Sequence, residues 1–369
     1  MMNTNQQKRL RALALYLPQY HPIPENDEWW GKGFTEWRNV VKGKPIVKGQ
    51  YQPHLPADLG FYDLRIPEVR EQQAQLARNN GIYGFCYYHY WFNGKRIIER
   101  PFNEVLTTGK PDFPFCLCWA NENWTRNWDG KEKKVLMQQE YSEKDDLMHI
   151  QYLCREVFSD KRYITIDGKP VFIIYRPSSF PDIKKTTLIW RAEAERLGYK
   201  GLYLIFFWGF DYGRKPEDFS MDAAAMFTPH PRMVKRKKNT FFYRGLNKLN
   251  LKFTNYQKHS VYDFKHLVDY CINMEYPKNH TLFPCVTPMW DNYVRRQNGG
   301  AMIYKGSTPA LYKKWLSAIC NKWEPKSEDE NLIFINAWNE WAEGNHLEPC
   351  EKWKSAYLDA TKEALSPFS

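Results

Sequence analysis

A chain of 369 residues with 53 Lys and Arg against 42 Asp and Glu carries a formal net charge of +11, yet 17% of it is aromatic and eight cysteines are scattered along it. A chain of this size buries enough surface to need no staples, and cysteines without a C-x-x-C pair exclude a disulfide framework and a zinc knuckle. No stretch reaches the roughly 18 apolar residues of a membrane span, and the N-terminal MMNTNQQKRLRALALY lacks the flanks of a signal peptide, so the expected location is cytoplasmic.

In chain order, the first apolar run, 12–17, reads as a buried strand and leads into Gln19, Tyr20 and His21. A Pro-, Trp- and Gly-rich loop follows, then a helix over 66–79 with Pro67 at its start and Gly81 just past its end. Run 83–91 ends in Tyr88-His89-Tyr90-Trp91, and run 115–120 leads through Trp119 into Asn121-Glu122-Asn123-Trp124. A helix over 145–158 carries Leu147, Ile150, Leu153 and Val157 on one face. Run 171–175 is followed by Arg176 and a helix over 185–197, and run 202–208 ends on Trp208. Run 223–227 precedes a basic insertion of about 228–262. Run 283–288 leads to Trp290, Asp291 and Asn292, and Ser307-Thr308-Pro309 caps a helix over 309–323. The last run, 333–338, delivers Asn339, Glu340, Trp341 and Glu343.

Strands apolar on both faces and alternating with helices predict a parallel sheet. Eight of them, with no Gly-rich phosphate fingerprint, predict one (β/α)8 TIM-type barrel with long βα loops, a single domain over 1–369. Function in a barrel gathers at the carboxyl ends of the strands. There the chain concentrates rings, amides and acids, the inventory of a sugar site. The predicted substrate-binding residues are Tyr20, His21, Tyr88, His89, Trp91, Trp119, Asn121, Glu122, Trp124, Arg176, Trp208, Trp290, Asp291, Asn339 and Trp341.

Glycosidic chemistry needs one acid that holds a proton and one that is ionised. Glu340 and Glu343 are the predicted catalytic pair. A straight strand would point them to opposite faces, so a turn at Trp341-Ala342 is required to bring both into one cleft. Trp338 and Trp341 would supply a wall of low dielectric. The histidines show no metal-ligand spacing and no G-x-S-x-G serves acyl chemistry, so no metal and no cofactor are expected.

Between Arg232 and Lys258 lie nine Lys and Arg and no acid, interleaved with Phe241, Phe242, Tyr243 and Phe253. Two readings of this stretch stand side by side: a peripheral membrane or lipid-linked-substrate contact, and a solvated loop. Nucleic acid is not an expected partner, because acids cluster with the rings at the strand ends and the basic stretch lies apart from them.

The motifs ALYLPQYHPIPENDEWWGKGFTEWRNV, YGFCYYHYWFNGK, CWANENWTRNWDG and NAWNEWAEGNHLEP together resemble the WbsX-type proteins of polysaccharide biosynthesis, which are related to glycoside hydrolase family 99, the endo-acting α-mannosidases and mannanases. The resemblance implies the barrel, retaining chemistry on α-mannosidic or similar bonds, and an oligosaccharide or polysaccharide substrate, lipid-linked in one variant, in O-antigen or capsule assembly. It implies that Glu340 deprotonates the sugar 2-hydroxyl, giving a 1,2-anhydro sugar, while Glu343 acts as acid and then base. Ala342 stands where family 99 places a bulkier residue, often histidine. Because WbsX-type proteins also bear the label glycosyltransferase, a nucleotide- or lipid-linked sugar donor is the alternative, with a non-catalytic glycan-binding protein behind it.

Overall fold

The computed structural model describes residues 10–126, 131–234 and 258–368. Its centre is a parallel sheet. β1 (Arg11–Tyr16), β2 (Gly84–His89), β3 (Phe115–Trp119), β4 (Lys169–Ile174), β5 (Tyr203–Phe207) and β6 (Ala223–Ala225) pair side by side in chain order. β7 is interrupted at Pro284 into Thr281–Phe283 and Cys285–Val286, and β8 (Leu332–Ile335) returns to β1. The first half of β7 pairs with β6 (Ala224 opposite Leu282) and the second with β8 (Cys285 opposite Phe334), so the two halves close the barrel. Proline has no N–H to give the ladder, but the Pro284 carbonyl still accepts from Phe334 N at 2.8 Å.

All residues of β2, β3, β5, β6 and β8 are buried, as expected for strands covered by side chains inside the barrel and by helices outside. Phe85, Phe115 and Phe172 are among the largest fully buried side chains. At Gly84 a Cβ would stand 2.6 Å from the Pro114 carbonyl oxygen, so only glycine lets the chain entering β3 approach β2 this closely.

Seven helices pack around the strands among the described residues: α1 (Pro67–Asn79), α2 (Arg100–Thr108), α3 (Glu143–Tyr152), α4 (Ile183–Arg196), α5 (Phe264–Asn273), α6 (Pro309–Lys322) and α7 (Ala356–Leu365). Local chemistry sets their starts. Ser142 Oγ accepts from Asp145 N at 3.2 Å to open α3, Asp182 accepts from Lys185 N at 3.1 Å to open α4, and Thr308 accepts from Leu311 N at 3.2 Å to open α6. The cap at Ser142 starts α3 two residues before the expected 145, and the end of that expected helix is a π-helical turn, Leu153–Val157. Between β5 and β6 a 3-10 turn, Pro216–Phe219, stands in for a helix.

The loop after β1 carries two short helices, Pro24–Trp30 and Trp37–Val40. Most of the basic stretch, 235–257, lies outside the described residues. Its leading edge places the Arg232 guanidinium over the Tyr212 ring at 5.8 Å. No helix among the described residues is long and apolar enough to cross a membrane.

Candidate active site

A cleft of about 220 Å³ opens at the carboxyl ends of the strands. Leu17 and Gln19 after β1, Tyr88 in β2, Glu122 after β3, Tyr175 after β4 and Glu340 and Glu343 after β8 all line it. The two acids reach one space because the chain turns between them. Asn339–Glu340 is a two-residue strand, Trp341–Glu343 a 3-10 turn, and Gly344 exits in the left-handed region at φ 55°. A Cβ at Gly344 would meet the Asp291 carbonyl and His54 Nε2, each at 3.0 Å.

Arg295, from the turn Asn292–Arg295 after β7, ties the acids together. Its Nη2 lies 2.9 Å from Glu340 Oε2 and its Nη1 3.0 Å from Glu343 Oε1. The same Nη2 donates to both oxygens of Glu36, at 2.9 and 3.0 Å. Three carboxylates therefore share one guanidinium in a buried space, and full ionisation would leave uncompensated negative charge there. Burial, with Glu343 and Glu36 adding and Arg295 opposing, raises the Glu340 carboxyl above its ordinary range. Burial raises Glu36 as well. An acidic cluster that retains a proton is what acid–base work on a glycosidic bond requires.

Much of the surrounding chemistry immobilises this turn. Asn339 accepts from Leu17 N at 2.7 Å and donates to Leu17 O at 3.0 Å, pinning the β8 exit to the β1 exit. Trp341 is buried. Its backbone N–H donates to Tyr20 Oη at 3.1 Å, its indole donates to Glu348 at 2.7 Å, and its ring stacks on His346 at 3.7 Å. Glu348 also accepts from Tyr62 at 2.8 Å and Gln73 at 2.6 Å, and burial pushes its carboxyl up to about 7. Asp291 N–H donates to Glu343 O at 2.7 Å, while the Asp291 carboxylate accepts from Gln50 at 2.8 Å; burial raises it to about 6.

The predicted substrate-binding residues divide into three groups. Tyr88, Glu122 and Trp124 line the cleft, with Arg176 at 2.8 Å from Glu122. Tyr20, Asn339, Trp341 and Asp291 stand behind the acid turn as its supports. The remainder do not line the cleft. His89 and Trp91 face α3: His89 Nε2 is 2.9 Å from His149 Nε2, and the Trp91 indole donates to Asp145 at 2.9 Å. Trp119 is buried with its indole donating to the Trp91 carbonyl, and Asn121 is buried between Tyr141 and the Arg176 backbone. Trp208 stacks on Tyr212, outside the cleft. Trp290 lines a second pocket with Tyr51, Tyr304 and Trp353. His21 is buried, and burial lowers its pKa to about 4. For His89, next to Tyr88 in β2, the reason is alternation: successive strand residues point to opposite faces.

Glu36 and Arg295 were not among the predicted residues, nor were Tyr90 and Tyr175, which also line the cleft. Glu36 sits in the motif GFTEWRNV, and an acid between Phe34 and Trp37 was the available signal. Arg295 follows the β7 exit by several residues, beyond where a strand-end rule looks. Among the described residues, no group of three His, Cys, Asp or Glu is arranged to hold a metal ion.

An acid pair beside rings at the strand ends of a barrel is the arrangement that chemistry on a sugar needs, and comparison with known proteins gives the family. The chain belongs to the WbsX family: the family model described as "Glycosyltransferase WbsX" matches residues 12–361. Two relatives named WxcX, both uncharacterized proteins from strains of Xanthomonas campestris pv. campestris, are 41% identical over 361 residues, 96% of this chain and 49% of theirs. The chain thus spans about half the length of the curated relatives it matches. Among solved structures, a glycoside hydrolase-like protein superposes with a TM-score of 0.60 at 14% identity, covering 99% of this chain and 96% of its own. The GH99 endo-alpha-mannosidase of Bacteroides thetaiotaomicron superposes with a TM-score of 0.58 at 14% identity, covering 97% of each chain. At such identities the likeness is one of fold.

Proposed function

We propose that the chain is a retaining carbohydrate-active enzyme acting on α-mannosidic or similar glycosidic bonds in the assembly of O-antigen, capsule or another surface polysaccharide. The observation that carries this reading is the presence of Glu340 and Glu343 in one cleft, joined through Arg295. Glu340 takes the proton of the sugar 2-hydroxyl while the 2-oxygen closes on the anomeric carbon, and Glu343 gives its proton to the departing oxygen. A water or acceptor hydroxyl then gives its proton to Glu343 and opens the 1,2-anhydro ring, and Glu340 returns its proton to the 2-oxygen. Two inversions leave the configuration retained. Burial raises Glu340, so it must give up the proton it holds before it can act as base in the first step; once ionised it is a stronger base towards a hydroxyl than an ordinary carboxylate. Tyr88, Tyr90, Trp124 and Tyr175 offer ring faces for the sugar.

The family description favours a second reading, a transferase with a nucleotide- or lipid-linked donor. In that reading the basic segment from Arg232 to Lys258 would meet the lipid or the membrane surface.

The experiment is incubation with α-mannan and α-manno-oligosaccharides, wild type beside Glu343→Gln, with products read by mass spectrometry. Products from the wild type alone support the first reading. No products from either, followed by transfer from a nucleotide- or lipid-linked sugar, support the second.

A further inference from the structure

We propose that Glu36 and Arg295 form a positioning pair that spans the cleft and sets which of Glu340 and Glu343 holds the proton before a sugar arrives. This rests on the reading of those two glutamates as base and acid. Glu36 is 1% exposed, and both of its oxygens lie within 3.0 Å of Arg295 Nη2. A guanidinium is a rigid planar fork. Holding it on the Glu36 side therefore fixes where its donors meet Glu340 at 2.9 Å and Glu343 at 3.0 Å. Stability alone does not account for a third buried acid, since buried ion pairs contribute little compared with apolar side chains of the same volume.

Glu340 is faced by Glu343 on its own turn, Glu36 from the loop after β1, Arg295 from the loop after β7, Tyr20 after β1, Tyr88 and Tyr90 around the end of β2, and Tyr175 after β4. Burial, the largest cause for each of the four tyrosines, raises them further, so they stay neutral around pH 7. The charges that bias Glu340 are then Glu36, Glu343 and Arg295. Removing the Glu36 charge relieves repulsion and frees Arg295 for the remaining acids, so Glu340 releases its proton more readily. Removing Arg295 does the opposite. Loss of packing alone would not displace the same group in opposite directions.

The test is a carboxyl 13C NMR titration of the full chain labelled at glutamate Cδ, with the Glu340 signal identified by its loss in Glu340→Gln. The midpoint of Glu340 is expected to fall by about one pH unit in Glu36→Gln and to rise by about one pH unit or more in Arg295→Gln. Midpoints that stay in place, or that move the same way in both variants, overturn the proposal. Should Arg295→Gln not fold, Glu36→Gln, which keeps its shape and an acceptor for Arg295, decides the matter alone. The titration needs no substrate, so inactivity on every glycan would sink the acid–base reading while the measured midpoints still judge the pair. Where a substrate is found, the acidic limb of kcat/KM should move with the Glu340 midpoint.

Discussion

The ends of β8 and β2 carry similar residues and use them differently. After β8, the rings of Trp338 and Trp341 are buried and the acids between and beyond them reach the cleft. Around the end of β2 the neighbours part: Tyr88 and Tyr90 line the cleft, while His89 and, just past the strand, Trp91 pack into the helix layer against His149 and Asp145 of α3. One region bends to bring side chains three apart in sequence into the same space, and the other sends sequence neighbours to opposite sides. Strand-end position alone therefore does not say which residues touch a ligand. The backbone beyond the strand decides.

The largest effect should come from the acid turn. Glu343→Gln is expected to lower kcat by about 10³- to 10⁴-fold while leaving the unfolding midpoint within a degree or two of wild type. A variant that loses stability and activity together would erase the distinction between a functional turn and a structural strand. At β2, Trp91→Ala should do the reverse, costing about 3–5 kcal/mol in denaturant unfolding. Its ring stacks on His149 at 4.5 Å and its indole donates to the buried Asp145, so truncation leaves a void and removes one of that carboxylate's donors. A folded Trp91→Ala with wild-type stability and a raised KM would place Trp91 in the cleft after all.

These contrasts also show how far the sequence was legible. The eight apolar runs became the barrel strands because strands buried on both faces need continuous apolar sequence, which is visible without coordinates. The expectation that a turn at Trp341-Ala342 brings Glu340 and Glu343 into one cleft could be read from their place just past a strand end and three apart, and both acids line the cleft. Glu36 and Arg295 were not, since long loops set their positions and no periodicity links residues 36 and 295. Helices α2, α5 and α7 were not among the expected elements, although each of these nine- or ten-residue helices has an apolar side that packs on the barrel.

A smaller effect separates the supports of the turn from the turn itself. Glu348→Ala should cost about 3 kcal/mol, because the donors of Tyr62, Gln73 and Trp341 lose their shared acceptor. The pH dependence has a definite sign. Burial raises Glu348 to about 7 from an ordinary 4.5, so the folded state favours its protonated form. That contribution is fully present below about 4.5 and is lost as pH rises through about 7. Urea midpoints of the wild type should therefore fall over this window, and Glu348→Gln should flatten the fall. An unchanged slope in that variant would mean that another buried acid, such as Asp291, carries the dependence.

The smallest effect probes the aromatic wall on its cleft side. Trp124 is half-buried, meets Tyr90 edge-on at 5.5 Å and Trp29 at 5.5 Å, and lines the same cleft as the acids. It has a ring face to offer a sugar and few contacts whose loss would unfold the barrel. Trp124→Ala should raise KM about tenfold, with kcat and the unfolding midpoint little changed, the pattern of lost ground-state stacking. Trp124→Phe should recover most of the affinity, because a smaller ring still presents a face. If the alanine variant instead lowers kcat at constant KM, Trp124 acts on the transition state. The aromatic side of the cleft would then belong to the chemistry as much as the acid turn does.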